Sequence, residues 1–383
     1  MEGLKPATQF DVEHGKEEVF IDFRLKEEGE LIIKLKNLNL KNRKFSILKE
    51  EKSHPNILRI FIDTVSRQRF IRRYHKTQQF LKKYHFSKYK KLLSYEFFRF
   101  HSIAGYTYPN LIASTYGNFE VSYAHQLTRI ETLAKKLGYI TGIASDLCNL
   151  YEREFDYDKS YAVFPDPEPV DHEFFQVSCD YNNLPINNGL GFFLGRGPFA
   201  ASKNCFMGDD LASSMLDYSL KFFRKYKEER KFFTVKFIDP HEFTGELSSF
   251  IDPLIANFLD KMDKEGHLDN TVLQFYADHG DHTDFILEKT ESARNEKFNP
   301  FLYMLIPESQ KEKIGANLEK NTQKLLTHFD IFTSALKLIG GNIEDGFELW
   351  DMNQGMKEDG ATGKIVPKEK HERHQKYQGG DFF

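Results

Sequence analysis

Residues 271–280 read TVLQFYADHG: seven residues without a charge, then aspartate, histidine and glycine. A run this short, continuously apolar and rich in β-branched and aromatic side chains predicts a strand buried on both faces, as in a parallel sheet covered by helices. The polar triplet then marks the strand's carboxyl end. The same pattern recurs outward along the chain. ILRIFI (57–62) runs into Asp63, ITGIAS (140–145) into Asp146, and FFTVKFI (232–238) into Asp239 with His241 two residues on. FFRFHSI (97–103) is read as a further strand, followed by a glycine turn and Thr107, and 301–306 as another. Helical periodicity falls between these runs, at 77–84, 109–116, 127–137, 209–227, 247–265 and 330–339. Strands alternating with helices predict an α/β fold, with a mostly parallel central sheet sandwiched by helices.

The flanks read differently. Residues 1–50 alternate apolar and charged side chains and predict a small N-terminal β layer of two or three antiparallel strands. The α/β domain is expected over 51–345. It includes a long irregular excursion at 155–205 that holds Pro165, Pro167, Pro169, Pro185 and GLGFFLGRG. Residues 346–383 read as a polar tail.

Composition narrows the function. The 383 residues are 40% apolar and 29% charged, a globular balance. With 53 basic and 57 acidic residues, net charge −4, no nucleic-acid partner is expected. The 37 Phe and 18 Tyr against one Trp fit an aromatic core better than a stacking surface. Cys148, Cys179 and Cys205 are too few for a disulfide framework. No run reaches the roughly 18 apolar residues of a membrane helix. Residues 1–10 hold no apolar stretch of a signal peptide. No membrane segment is therefore expected in this chain.

In open α/β sheets ligands bind beyond the carboxyl ends of the strands. Gathered there, the strand-end groups would supply several carboxylates, two histidines and a hydroxyl. Any one such Asp is equally well a turn or cap residue; the set is harder to explain that way. Asp278 and His279 are adjacent ligands suited to Zn²⁺ or Mn²⁺. Thr107 precedes a Pro-initiated helix. It is read either as a capping residue or as a nucleophile beside a helix end that favours anions.

The ordered set NILRIFIDTVSRQRF, KTQQFL, AGYTYPNLIASTYG, GYITGIASD, KFFTVKFIDPHE, LDNTVLQFYADHG, NPFLYMLIP and LLTHFDIFTSAL resembles the alkaline-phosphatase/sulfatase-like superfamily over residues 50–340. Within it, the chain is most similar to a large uncharacterised sulfatase-like "domain of unknown function" family of mostly extracellular or membrane-anchored proteins. The resemblance carries over Asp63, Thr107, Asp278 and His279 as ligands of one metal, and Thr107 also as the nucleophile. It implies that His241 binds a second metal or the leaving group, with Asp239 and His282 as further second-metal candidates. Asp239 and His241 stand closer together than in two-metal relatives, so one ion, Zn or Mn, is better supported than two. Arg67 and Asn110 are candidates for binding an anionic ester substrate. The Cys/Ser-x-Pro-x-Arg signature of true sulfatases is absent. The implied activity is metal-dependent hydrolysis or transfer of phosphodiesters or phosphomonoesters. The alternatives are a catalytically silent binding protein, or sulfuryl or phosphoethanolamine transfer to glycans or lipids. The implied location is extracellular, lumenal or membrane-associated.

Overall fold

The structure is a computed structural model that describes residues 20–25, 31–36, 54–85, 91–117, 128–146, 170–174, 205–206, 209–241, 245–281, 290–341, 357–358 and 365–366. Most of the 155–205 excursion and of the 346–383 tail, together with Cys148, Cys179 and His282, lies outside these residues.

The described elements run β1 (Phe20–Leu25), β2 (Leu31–Lys36), β3 (Asn56–Ile62), α1 (Arg67–Arg73), α2 (His75–Lys83), β4 (Leu92–Glu96), α3 (Thr107–Tyr116), α4 (Ile130–Lys136), β5 (Ile140–Ser145) and β6 (His172–Phe174). They continue with β7 (Cys205–Phe206), β8 (Asp209–Asp210), α5 (Leu211–Lys225), β9 (Lys231–Phe237), α6 (Leu247–Lys264), β10 (Thr271–Ala277), α7 (Glu291–Phe298), β11 (Leu302–Pro307), α8 (Ala316–Asn321) and α9 (His328–Leu338). Strands β1 and β2 pair antiparallel, with Phe23 opposite Ile33.

Seven strands form the central sheet in the order β4-β11-β10-β3-β9-β5-β6. Five of them, from β10 to β6, are mutually parallel. Strand β11 runs against its neighbours β10 and β4. The fold is therefore α/β with a mostly parallel sheet.

Alternation along each strand feeds two cores. In β3, Leu58, Ile60 and Ile62 face one side and Ile57 and Phe61 the other; in β10, Leu273 and Phe275 oppose Val272 and Tyr276. Helices α1, α2, α5 and α6 cover the first face through side chains such as Phe70, Phe80, Phe222 and Phe258. Helices α4, α8 and α9 cover the second through Ile130, Leu318 and Ile331. Strands β3, β9 and β10 are buried along their whole length. That burial explains why their sequences are nearly continuous apolar runs rather than alternating ones.

One predicted strand is absent. FFRFHSI is an irregular segment, and the edge strand is LLSYE, five residues earlier. Phe97 and Phe100 are buried while Phe98 between them is exposed, a spacing no strand can produce. The segment is held by its backbone instead: Phe97 N–H donates to Leu302 O at 3.0 Å and His101 N–H to Leu326 O at 2.8 Å. Helices α1 and α7 carry mostly polar residues and have no clear apolar stripe in the sequence.

Candidate active site

The central position of β3 decides the site. Its neighbours in the sheet are β9 and β10. All three run parallel, so Asp63, the Asp239–His241 turn and the Asp278-His279 pair leave the sheet at the same edge. Ligating atoms of Asp63, Asp278 and His279 lie within 4.8 Å of one another, and all three residues are buried. Helix α3 brings the fourth group. Thr107 Oγ1 donates toward Asp63 Oδ1 and Oδ2, each at 3.3 Å, and lies 3.2 Å from His279 Nε2.

Thr107 is not a helix cap. Tyr106 occupies the N-cap position, Thr107 is the first helical residue, and Pro109 sits two residues further in. The hydroxyl is directed to the carboxylate, and the first-turn N–H groups of a ten-residue helix lie beside it. Asn110 sets this geometry. Its Oδ1 accepts from Ile103 N–H at 2.7 Å, and its Nδ2 donates to Ala104 O at 2.7 Å and Tyr106 O at 2.9 Å. At the other end of the helix, buried Arg59 donates to Ser114 O at 2.8 Å.

The electrostatics fit a divalent cation. His279 Nδ1 faces the Gly280 carbonyl at 2.6 Å, so that nitrogen carries the proton and Nε2 points at the carboxylates. Asp278 Oδ1 accepts from Thr64 N–H at 3.0 Å and His279 N–H at 2.7 Å. Asp278 Oδ2 is buried without a hydrogen bond and lies 3.1 Å from His279 Nε2. Burial, and then the charge of Asp278, push the Asp63 carboxyl well above the usual range. Burial alone would lower His279, but Asp278 and Asp63 outweigh it and push the imidazole up to about 9. Burial would raise Asp278, yet His279 holds it below the ordinary value. Without a cation, a proton must compensate two buried carboxylates; a divalent ion satisfies both, together with an imidazole nitrogen and a hydroxyl.

The Thr64 backbone adopts φ 62°, the left-handed region, which costs a β-branched residue on the order of 1–3 kcal/mol. Its hydroxyl donates to Asp63 Oδ1 at 2.6 Å. Sequence reading missed Thr64, because nothing in a β-branched residue signals positive φ.

The remaining candidates fall as follows. His241 is 7% exposed, and its N–H donates to Ile238 O at 2.8 Å. Burial, followed by the charge of His279, lowers its pKa and keeps it neutral. Asp239 is half-buried, and its N–H donates to Asp146. Among the described residues, Asp239 and His241 join no group of three potential ligands. His282, their proposed companion, lies outside the described residues. Asp146 also accepts from Ile238 N–H, so it braces the turn after β9. Arg67 pairs with Glu96 at 2.7 Å and packs over the Phe98 ring. Glu296 accepts from Ser66 at 2.8 Å and from both terminal nitrogens of Arg72.

Gly280 must be glycine because of a close approach: a β-carbon there would lie 2.1 Å from the Glu296 carbonyl oxygen. The triplet that ends β10 thus combines two candidate ligands with a residue that lets α7 pack directly against them. No helix among the described residues is long and apolar enough to cross a membrane.

A family model described as "Protein of unknown function (DUF229)" matches residues 21–359. No curated protein sequence matches the chain. Two structures of the C-terminal periplasmic domain of EcEptC from Escherichia coli are similar in fold. One is 10% identical with TM-score 0.50, covering 75% of this chain and 82% of that one. The other, a complex with Zn, is 11% identical with TM-score 0.50, covering 75% and 83%. Ps i-CgsB in complex with k-i-k-neocarrahexaose is 12% identical with TM-score 0.51, covering 79% and 75%. At these identities the likeness is one of fold.

Proposed function

The chain belongs to the DUF229 family, within the alkaline-phosphatase/sulfatase-like superfamily, and from that premise we propose that it is a metal-dependent hydrolase or transferase of phosphoesters with Thr107 as nucleophile. One observation carries the reading: a threonine hydroxyl on the first turn of a helix lies within hydrogen-bonding distance of the buried Asp63 carboxylate and the His279 imidazole, which cluster with a second buried carboxylate, Asp278. Asp63, Asp278, His279 and Thr107 would hold one Zn²⁺ or Mn²⁺. Such an ion supplies positive charge that neutralises the carboxylates, polarises a phosphoryl oxygen and favours loss of the threonine proton.

The chain's own groups do the rest. The Asp63 carboxylate, with both oxygens 3.3 Å from Thr107 Oγ1, is a carboxylate acceptor within reach of the Thr107 proton. The Thr107 oxygen then bonds to phosphorus as the bond from phosphorus to the leaving oxygen breaks. First-turn N–H groups of α3 stabilise the phosphoryl oxygens. Neutral His241, close enough to feel the charges of His279 and Asp278, supports the leaving oxygen. Water, or an acceptor hydroxyl in a transferase, releases the phosphoryl group from Thr107. The zinc-bound EcEptC domain supports the choice of metal, and its periplasmic origin supports a location outside the cytosol. The carbohydrate-bound neighbour supports including glycan esters among the substrates.

The test is a screen of bis(p-nitrophenyl) phosphate, p-nitrophenyl phosphate and p-nitrophenyl sulfate, each with Mn²⁺, Zn²⁺ or chelator. Metal-dependent release from a phosphate ester is expected. Release from the sulfate alone would transfer the same site to sulfuryl chemistry. A protein that binds metal yet turns over none of the three would favour a silent binding role, and one that binds no metal would end the proposal.

A further inference from the structure

Thr64 stands between the two carboxylates of the site and is the one non-glycine residue with positive φ among the described residues. It is fully buried. All of its polar groups are used: the N–H donates to Asp278 Oδ1 at 3.0 Å, the hydroxyl to Asp63 Oδ1 at 2.6 Å, and the carbonyl accepts from Arg69 Nη1 at 3.0 Å. The direction of a residue's N–H and C=O follows from its φ and ψ. With φ returned to the right-handed or extended region, the N–H could not reach Asp278 while the side chain still reached Asp63. Arg69 closes the arrangement from outside. It is nearly buried, pairs with Asp281 at 3.3 Å and packs against the Gly245 backbone.

We propose that Thr64 is a positioning residue for the metal centre: its left-handed backbone and hydroxyl hold Oδ1 of both carboxylates, so that Oδ2 of Asp63 faces the Thr107 hydroxyl and Oδ2 of Asp278 faces His279 Nε2. The inference rests on the metal-centre reading above. On each aspartate the oxygen engaged by Thr64 is Oδ1, which sets the side-chain torsion and leaves Oδ2 for a cation. On Asp278 that Oδ2 has no hydrogen bond although it is buried. Glycine would take this backbone freely but would leave Asp63 without its shortest donor. Threonine accepts a disfavoured conformation and delivers the hydroxyl. Strain held in place by surrounding hydrogen bonds is characteristic of binding sites.

The experiment is calorimetric titration of the full chain with Mn²⁺, alongside thermal unfolding in chelator. Thr64→Val keeps the side-chain shape and deletes the hydroxyl; it should remain folded and bind Mn²⁺ some 10–100-fold more weakly, the usual effect of losing an outer partner of a ligand. Thr64→Ser restores the hydroxyl and should bind within about threefold of wild type, well short of that loss. Thr64→Gly adopts φ near 62° without a side-chain clash and should show the same loss as Thr64→Val, so it carries the test if the valine variant does not fold. A folded Thr64→Val or Thr64→Gly that binds Mn²⁺ as tightly as wild type overturns this inference and leaves the metal centre standing. Equal weakening in Thr64→Ser also overturns it, because the hydroxyl would not be the active group. A wild-type chain that binds neither Mn²⁺ nor Zn²⁺ overturns both.

Discussion

Two substitutions separate chemistry from architecture at single residues. Thr107→Ala removes the proposed nucleophile without removing a helix cap, since Tyr106 holds that position. Thermal unfolding should be nearly unchanged while turnover falls by several orders of magnitude, the scale of loss seen when a covalent nucleophile is deleted. Thr107→Ser should keep part of the activity. An alanine variant with near wild-type turnover would assign the attack to water. Asp278→Asn is the complementary change. An asparagine oxygen can still accept the Thr64 and His279 N–H groups that Asp278 Oδ1 accepts. The metal-free fold should survive, whereas loss of a charged ligand should leave purified protein depleted of metal by elemental analysis. Replacement by alanine would confuse the two effects, because two buried N–H donors left unpaired cost about 1–3 kcal/mol each.

At the scale of elements, the site is the meeting of two strand ends, those of β3 and β10, with helices α3 and α7. The turn after β10 holds His279 through the Gly280 carbonyl, and Gly280 N–H donates to Lys297 O in α7 at 2.8 Å. Gly280→Ala would drive a β-carbon into the Glu296 carbonyl, where only backbone movement gives relief. A loss of about 1–3 kcal/mol in denaturant unfolding is expected, as for other overpacked sites. Metal affinity should drop with it, since the displaced turn carries His279. Unchanged unfolding in Gly280→Ala would mean that α7 can retreat at no cost. The same scale explains the misread edge. FFRFHSI has the aromatic density of a strand without its spacing, whereas LLSYE, a partly covered edge strand, is too short and mixed to give an apolar run.

For the molecule as a whole, burial of neutral histidine makes stability depend on acidity. His328 opens α9 against the sheet, with Nε2 on the Ala277 carbonyl at 3.0 Å and its ring beside Phe100. Burial pushes its pKa down to about 4 from 6.5. The folded state therefore favours the uncharged ring. Its stability is complete above the unfolded value of 6.5 and declines as pH falls toward about 4, where the folded ring also protonates. The gap between the two values corresponds to roughly 3 kcal/mol. His328→Gln, which has no proton to gain, should lose less stability over that interval than wild type in chelator. A parallel decline in both proteins, measured by thermal unfolding at stepped pH, would remove His328 from the explanation.

The sequence by itself determined the class of the fold and the chemical types available at its functional edge. Buried parallel strands are continuous apolar runs, and each such run in β3, β5, β9 and β10 announced where it stopped by a carboxylate. Those signals are local, carried by a few consecutive residues, and the resemblance to a known superfamily rested on the same motifs. Only the tertiary structure decided which strand ends meet. With β3 between β9 and β10, Asp63 faces Asp278 and His279, while Asp146 on the next strand out braces a turn and Arg67 is engaged by Glu96. Strand order is set by packing between segments more than two hundred residues apart in sequence, such as 56–62 and 271–277, and no local period encodes it. The left-handed Thr64 belongs to the same category. Its own preference opposes that backbone, and hydrogen bonds donated to Asp63 and to the distant Asp278 and accepted from Arg69 hold it there.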